Sequence, residues 1–274
     1  MTTDPTTEPL ATIAEAFSRT AEQYDRFAEA HPHLTRMRHK VYAHLQRFVS
    51  PGQRILELNA GTGTDAVYLA QQGFYVHATD IAPGMLQRLE DKVERLNLNG
   101  RITSQTCSYT DLAHLQGGPY DAVFSNLGGL NCLPDLAPVI RKLPHVLRPG
   151  GLVIWVLMPS ICLWELVTLF AGRVRLALRR LAPQGTRAHL EGLYFNVYYF
   201  SPRQVIAAFG PDYQPLAIEG LSVITPTAES KNLAFRHPRF YRLLAWLDDR
   251  LSPLPPWRGW GDFFIITLRY QPQL

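Results

Sequence analysis

Residues 57 to 63 read Glu-Leu-Asn-Ala-Gly-Thr-Gly, and Asp80 follows nineteen positions after Gly61. Two glycines one residue apart allow positive φ and let a ligand approach the backbone closely. The run before them, Arg54 to Ala60, is apolar and of strand length. After them, Asp65 to Gln72 carries Ala66, Val67, Leu69 and Ala70 at helical spacing and stops at Gly73. A strand, a glycine turn and a helix start bring unpaired N–H groups and a positive dipole end to one point. That chemistry suits a nucleotide-like ligand. Asp80 stands near the spacing of about 20 residues at which a carboxylate beyond such a turn reaches a ribose hydroxyl. A carboxylate only accepts hydrogen bonds, and a ribose edge presents two donors. The other use of Asp80 is to cap the helix that Pro83 opens.

The elements that must position these residues follow from periodicity. Residues 1–10, polar and rich in threonine and proline, predict a disordered tail. Over 11–50, apolar and aromatic residues recur at three- and four-residue steps: Ala16, Phe17, Ala21, Tyr24 and Phe27, then Met37, Val41, Leu45 and Phe48. This predicts a helical cover of two helices broken near His31-Pro32. A cofactor-binding core is read over 51–158, beginning at Pro51-Gly52. Strands are expected at 54–60, 75–79, 102–108, 120–126 and 152–158, with helices opening at Asp65 and Pro83 and another from about Leu136 to Leu147. Such alternation builds a parallel, doubly wound sheet, whose ligands sit beyond the carboxyl ends of its strands. Ala60 to Gly63, Asp80, Ser108-Tyr109 and Asn126-Leu127 are all strand ends and are expected to converge. An inserted helical and aromatic lid is read over 159–200, and 201–274 completes the sheet. There Ser201-Pro202 caps a helix through Phe209, Leu216 to Ile224 forms a sixth strand and Pro238 to Leu251 forms a helix.

Four stretches together resemble the class I S-adenosylmethionine-dependent methyltransferases: E-L-N-A-G-T-G from Glu57, V-H-A-T-D-I-A-P-G-M-L from Val76, Y-D-A-V-F-S-N-L from Tyr120, and L-R-P-G-G from Leu147. The resemblance covers roughly Arg54 to Met158. It implies a Rossmann-like, mostly parallel seven-stranded α/β sheet with an antiparallel last strand, for which Asp262 to Tyr270 is the candidate. It implies S-adenosylmethionine as cofactor, with Glu57 and the Gly61–Gly63 turn at the methionine end, Asp80 on the ribose and the end of the third strand beside adenine. The cofactor contacts so implied are Glu57, Asn59, Ala60, Gly61, Thr62, Gly63, Asp80, Ile81, Met85, Ser108, Tyr109 and Asn126. Two departures stand out. Asn59 replaces the usual first glycine, and asparagine tolerates positive φ better than most residues. Ser108 stands where an acidic residue often meets the adenine amino group, with Asp111 three residues on.

Such a cofactor carries an activated methyl group, so positioning does most of the work and no catalytic residue is assigned. His31, His33, His114, His145, His189 and His237 are read as solvated or capping, and no spacing reads as a metal site. Ser125-Asn126-Leu127-Gly128-Gly129 lacks the Asn-Pro-Pro-Tyr-like turn of methyltransferases for exocyclic amines, and no basic RNA-binding module is appended. A small, hydrophobic acceptor is expected, and no nucleic acid. With 46% hydrophobic residues, 274 residues and a net charge of +4, the chain suits one large domain with insertions. Three scattered cysteines, Cys107, Cys132 and Cys162, and no leader-like start point to the cytoplasm. Residues 159–190 concentrate five arginines against one glutamate, and 161–181 joins an apolar half to a basic one. This insertion reads either as a lid with solvated arginines or as a peripheral membrane contact. Tyr194, Tyr198 and Tyr199 either line an acceptor pocket or pack in the core. Gly61, Gly63 and Ala66 also satisfy G-x-G-x-x-A, so a nicotinamide-dependent oxidoreductase is the alternative, followed by a non-catalytic cofactor-binding regulator. The oligomeric state has no signature.

Overall fold

The computed structural model describes residues 7–29, 31–227 and 232–273. Two helices come first, α1 (Thr7–Glu29) and α2 (Pro32–Gln46). Of the tail expected over 1–10, residues 1–6 lie outside the described residues, and Thr7 already opens α1, with Leu10 buried against the core. An alternating core follows: β1 (Arg54–Leu58), α3 (Thr64–Gln71), β2 (Tyr75–Asp80), α4 (Pro83–Arg95), β3 (Ile102–Thr106), β4 (Tyr120–Ser125), α5 (Ala137–Ile140), α6 (Leu143–Val146) and β5 (Leu147–Leu157). Next come α7 (Leu163–Val167), α8 (Val174–Leu178), β6 (Thr186–Leu190), β7 (Leu193–Val197), α9 (Pro202–Phe209), β8 (Tyr213–Leu221), α10 (Asn232–Arg236), α11 (Pro238–Leu251) and β9 (Phe263–Tyr270).

Seven strands form one sheet in the order β3-β2-β1-β4-β5-β9-β8. Neighbours from β3 to β5 pair in parallel, and β9 runs antiparallel to both β5 and β8. Side chains alternate between two apolar layers, as the period of a strand requires. Val153, Trp155 and Leu157 on β5 face one layer, with Val139, Leu143, Val205 and Phe209. Ile154 and Val156 face the other, with Met37, Val41, Leu69, Leu86 and Leu89 of α2, α3 and α4. The chain order reverses between β1 and β4, which opens a crevice at their carboxyl ends.

Three segments differ from expectation. The helix read over Leu136 to Leu147 is two short ones, because Pro144 has no N–H to continue the ladder. The sixth strand runs Tyr213–Leu221, since Ser222 turns away at φ 52° and the N–H groups of Val223 and Ile224 go to Asp248 Oδ1 at 2.7 and 2.8 Å. The run 161–181 is no continuous helix. Gly172 sits at φ 72° between α7 with its 3-10 extension, Thr168–Ala171, and α8, and the rest of the insertion is the β6–β7 hairpin.

Candidate functional site

After β1, Asn59 (φ 50°), Gly61 (56°) and Gly63 (77°) turn the chain into α3. Asn59 holds the left-handed conformation with help from its side chain, whose Oδ1 accepts from Ser125 Oγ at 2.8 Å on β4. A Cβ on Gly61 would meet nothing within 4 Å, whereas one on Gly63 would lie 2.5 Å from Leu89 Cγ. Gly61 therefore leaves space for a ligand, and Gly63 lets α4 pack against the turn. Asp80 ends β2 and does two jobs: Oδ2 accepts from Gly61 N–H and Oδ1 from Ala82 N–H, both at 2.8 Å. Each oxygen keeps a further lone-pair direction. Burial pushes the Asp80 carboxyl above its ordinary pKa, opposed by the bonds from Ala82 and Gly61.

A cavity of about 280 Å³ opens at these strand ends. Asn59, Ala60, Gly61, Thr62, Asp80, Ile81, Met85, Tyr109 and Asn126 line it, and so does Leu127. Glu57, Gly63 and Ser108 are not part of its lining. Gly63 serves packing, as above. Ser108 spends its hydroxyl on Thr110, meeting Oγ1 at 2.7 Å and N–H at 3.2 Å, while its neighbours Cys107 and Tyr109 reach the wall. Glu57 is fully buried, and its Oε2 has no partner among the described residues. Burial, with Asp65 and Asp80 nearby, pushes its pKa well above the carboxylate range, only partly opposed by Arg38.

The cover contributes more than periodicity foretold. Arg38 of α2 lines the cavity and, with Tyr42 OH, donates to Asp65 Oδ1 at the start of α3. Asn126 Nδ2 donates to Asp65 Oδ2 at 3.0 Å, so α2, α3 and β4 meet at one carboxylate. Arg38 Nε has no partner among the described residues, and its side chain is 11% exposed. The sequence signal for it was a charge beside Met37 on a helix face aimed at the core. On α1, Asp25 accepts from Thr62 Oγ1 at 2.5 Å and pairs with Lys92 at 2.7 Å, which fastens the cover to the glycine turn.

The outer wall is apolar and comes from segments distant in sequence. Ile13 and Phe17 of α1, Met158 after β5, Ala188 of β6, and Phe195 and Val197 of β7 line it, with Phe17 and Phe195 rings 6.1 Å apart. Asn131 secures the hairpin: its Nδ2 donates to Tyr198 O at 2.6 Å and Met158 O at 3.2 Å, and its Oδ1 accepts from Met158 N–H at 2.9 Å. Tyr194, Tyr198 and Tyr199 do not line the cavity; Tyr194 is half exposed, under Arg187. His31 and His33, expected to be solvated or capping, are buried, with His33 Nδ1 3.0 Å from Tyr241 OH. The insertion's arginines are not all solvated either. Arg180 is buried between Glu165 and Asp262, both at 2.7 Å, and Arg179 pairs with Glu165 at 2.8 Å.

A family model described as a methyltransferase domain matches residues 55–151. Among relatives, the malonyl-[acyl-carrier protein] O-methyltransferase of Halorhodospira halophila is 29% identical over 208 residues, covering 71% of this chain and 68% of that protein. The ubiquinone biosynthesis O-methyltransferase of Xylella fastidiosa is 30% identical over 141 residues, covering 50% of this chain and 54% of that protein, so the chain spans about half of its length. Among solved structures, the 1,6-didemethyltoxoflavin-N1-methyltransferase of Burkholderia thailandensis, with S-adenosylhomocysteine bound, matches with a TM-score of 0.58 at 16% identity, covering 99% of this chain and 93% of that one. At that identity the likeness is one of fold.

Proposed function

Because the chain belongs to the class I S-adenosylmethionine-dependent methyltransferases, we propose that it methylates a small, hydrophobic acceptor held against the apolar outer wall of its cavity. The family sets aside the nicotinamide-dependent alternative. The observation that carries the acceptor reading is the division of one cavity: a turn, carboxylates and a guanidinium at the inner end, and Ile13, Phe17, Met158, Phe195 and Val197 at the outer end. When bound, S-adenosylmethionine supplies an activated methyl group on sulfur. The chain's part is to orient and to exclude water.

At the inner end the residues fit that cofactor. Asp80 offers its remaining lone pairs to the ribose hydroxyls, and Gly61 leaves room for close approach. Arg38, with Nε unpartnered in the wall, is assigned to the methionine carboxylate, where a charge-assisted bond is strong. Glu57 is the buried carboxyl assigned to the ammonium end. Ile81, Met85, Cys107 and Tyr109 are assigned to the adenine side, where no carboxylate among the described residues takes part. The names of the two O-methyltransferase relatives support an oxygen nucleophile. The β6–β7 hairpin and α1 govern access of the acceptor, as a lid that packs on the cofactor core through Asn131 and Asp25.

The test pairs calorimetry with a transfer assay. S-adenosylmethionine and S-adenosylhomocysteine should bind and NAD should not, and label from the cofactor should pass into the organic-soluble fraction of a cell extract. Label entering only macromolecules would overturn the acceptor class. Cofactor binding without any transfer would favour a regulator.

A further inference from the structure

Of fourteen exposed large hydrophobic side chains among the described residues, eleven lie in two segments, 167–181 and 235–254. Phe170 is 95% exposed and Phe235 67%. The second segment is unusual in how it is attached. An amphipathic helix ordinarily turns its apolar face to the core. α11 departs from this: Leu244 and Leu247 are only partly buried, its inward hydrogen bonds and ion pairs are made by polar groups, and it shows Phe240, Leu243 and Trp246 to solvent, each about half exposed. Its inward bonds are Tyr241 OH with His33 Nδ1 at 3.0 Å, Ala245 O from Arg36 at 2.9 Å, and a fully buried Asp248 that pairs with Arg36 at 3.2 Å and Lys40 at 3.3 Å.

Charge accompanies the apolar face. Arg236, Arg239 and Arg242 are exposed and make no ion pair among the described residues, and Arg250 lies over the Trp246 ring at 4.3 Å. The acids of α11, Asp248 and Asp249, are already engaged by Arg36 and Lys40. The first segment has the same make-up, with Arg173 and Arg175 exposed among Phe170, Val174 and Leu178. Both segments flank one stretch of backbone: Trp164 Nε1 of α7 donates to Ile224 O at 3.1 Å, and Asp248 of α11 accepts from Ile224 N–H at 2.8 Å.

We infer that this edge, α10 and α11 together with residues 167–181, docks on an anionic lipid bilayer. Aromatic and aliphatic side chains on a convex helix face, interleaved with unpaired arginines, are what an interfacial helix presents to headgroups and the acyl boundary. No described helix is long and apolar enough to cross a membrane, so the contact is peripheral. The site goes beyond the acceptor reading and does not depend on it, although the insertion also carries the β6–β7 wall of the cavity.

Sedimentation with vesicles tests it, using phosphatidylcholine alone and phosphatidylcholine with phosphatidylglycerol, at low and high salt. The protein should bind the anionic vesicles, and binding should fade with salt. The variant Arg236→Gln/Arg239→Gln/Arg242→Gln should bind them on the order of 100-fold more weakly, at about fivefold per arginine. Phe240→Ser/Leu243→Ser/Trp246→Ser should lose binding comparably, while both variants keep the wild-type unfolding temperature and S-adenosylmethionine affinity. Absence of wild-type binding to anionic vesicles would overturn the inference, as would wild-type binding by both variants. A dimer that the apolar variant converts to monomer would also overturn it, since the face would then be an interface between copies.

Discussion

Asp80, proposed above to hold the ribose, also has a structural role. Its oxygens hold the N–H groups of Gly61 and Ala82, so Asp80→Ala removes a strand-to-turn tie as well as the ribose acceptor. Hydrogen bonds to a charged group contribute about 1.5–3 kcal/mol each. Calorimetry should show S-adenosylmethionine affinity at least tenfold weaker, and thermal unfolding should show a lower midpoint. Unchanged affinity would remove Asp80 from the site. For Arg38 the informative change is to lysine, because a neutral residue would leave Asp65 buried without its cation. Arg38→Lys keeps the charge but loses the fork. It should weaken S-adenosylmethionine more than it weakens binding of the decarboxylated analogue, and equal losses would sink the carboxylate assignment. Gly61 and Asp80 were legible in the sequence because a turn and a spacing are local signals. Arg38 was not: its meaning depends on α2 lying across the mouth of the sheet, a contact between residues far apart in the chain.

At the scale of elements, the strands β1 to β5 and the helices α3 and α4 were legible because each repeats its own period over enough residues to be recognised, whereas Pro144 broke the helix read over Leu136 to Leu147. The insertion was not legible, since its apolar run reads equally well as one helix or as two short helices with a glycine break at Gly172. Its fixed point is the buried Arg180 between Glu165 and Asp262, a contact spanning 82 residues that no local pattern announces. Excising residues 161–181 would therefore take Arg180 away from Asp262, just before β9, and confound access with stability. A cleaner division of acceptor from cofactor comes from the facing rings of α1 and β7. Phe17→Ala or Phe195→Ala removes apolar wall without touching the turn. Each should raise the acceptor KM by about 5- to 150-fold while leaving S-adenosylmethionine affinity within about twofold, for a loss of about 1–3 kcal/mol of apolar contact. Cofactor affinity that fell in parallel would place those rings on the cofactor instead.

For the whole molecule, α2 is the hub that ties the cover to the far edge of the sheet, and its ties are charged. Glu219 on β8 accepts from His44 Nδ1 at 2.9 Å and pairs with Arg47 at 3.2 Å and Lys40 at 3.7 Å, while His44 Nε2 meets Thr267 Oγ1 at 2.9 Å. Burial alone would raise the Glu219 pKa, but the bond from His44 and the charges of Lys40, His44 and Arg47 bring it below the ordinary value. Glu165 is held low in the same way, its burial outweighed by Arg179 and Arg180. A carboxyl whose folded pKa lies below its unfolded value of about 4.3 gives stability that is full above that value and lost as pH falls through the folded one. Glu57 and Asp80 act with the opposite sign: their raised pKa values favour the fold at low pH, and that contribution fades as pH rises through them. Stability near pH 4 thus balances edge ties being lost against site carboxyls being relieved, and Glu219→Gln isolates the first. It should lower unfolding free energy by about 1.5–3 kcal/mol at pH 7, the range for a hydrogen bond to a charged group. Below the lowered folded-state pKa of Glu219, where the group is protonated in both states, the difference should shrink toward zero. Denaturant titrations at pH 7 and at a series of falling pH values measure both, and a deficit that stays the same size across the series down to acid unfolding would show that shape at Glu219, and not its charge, holds α2 to the sheet.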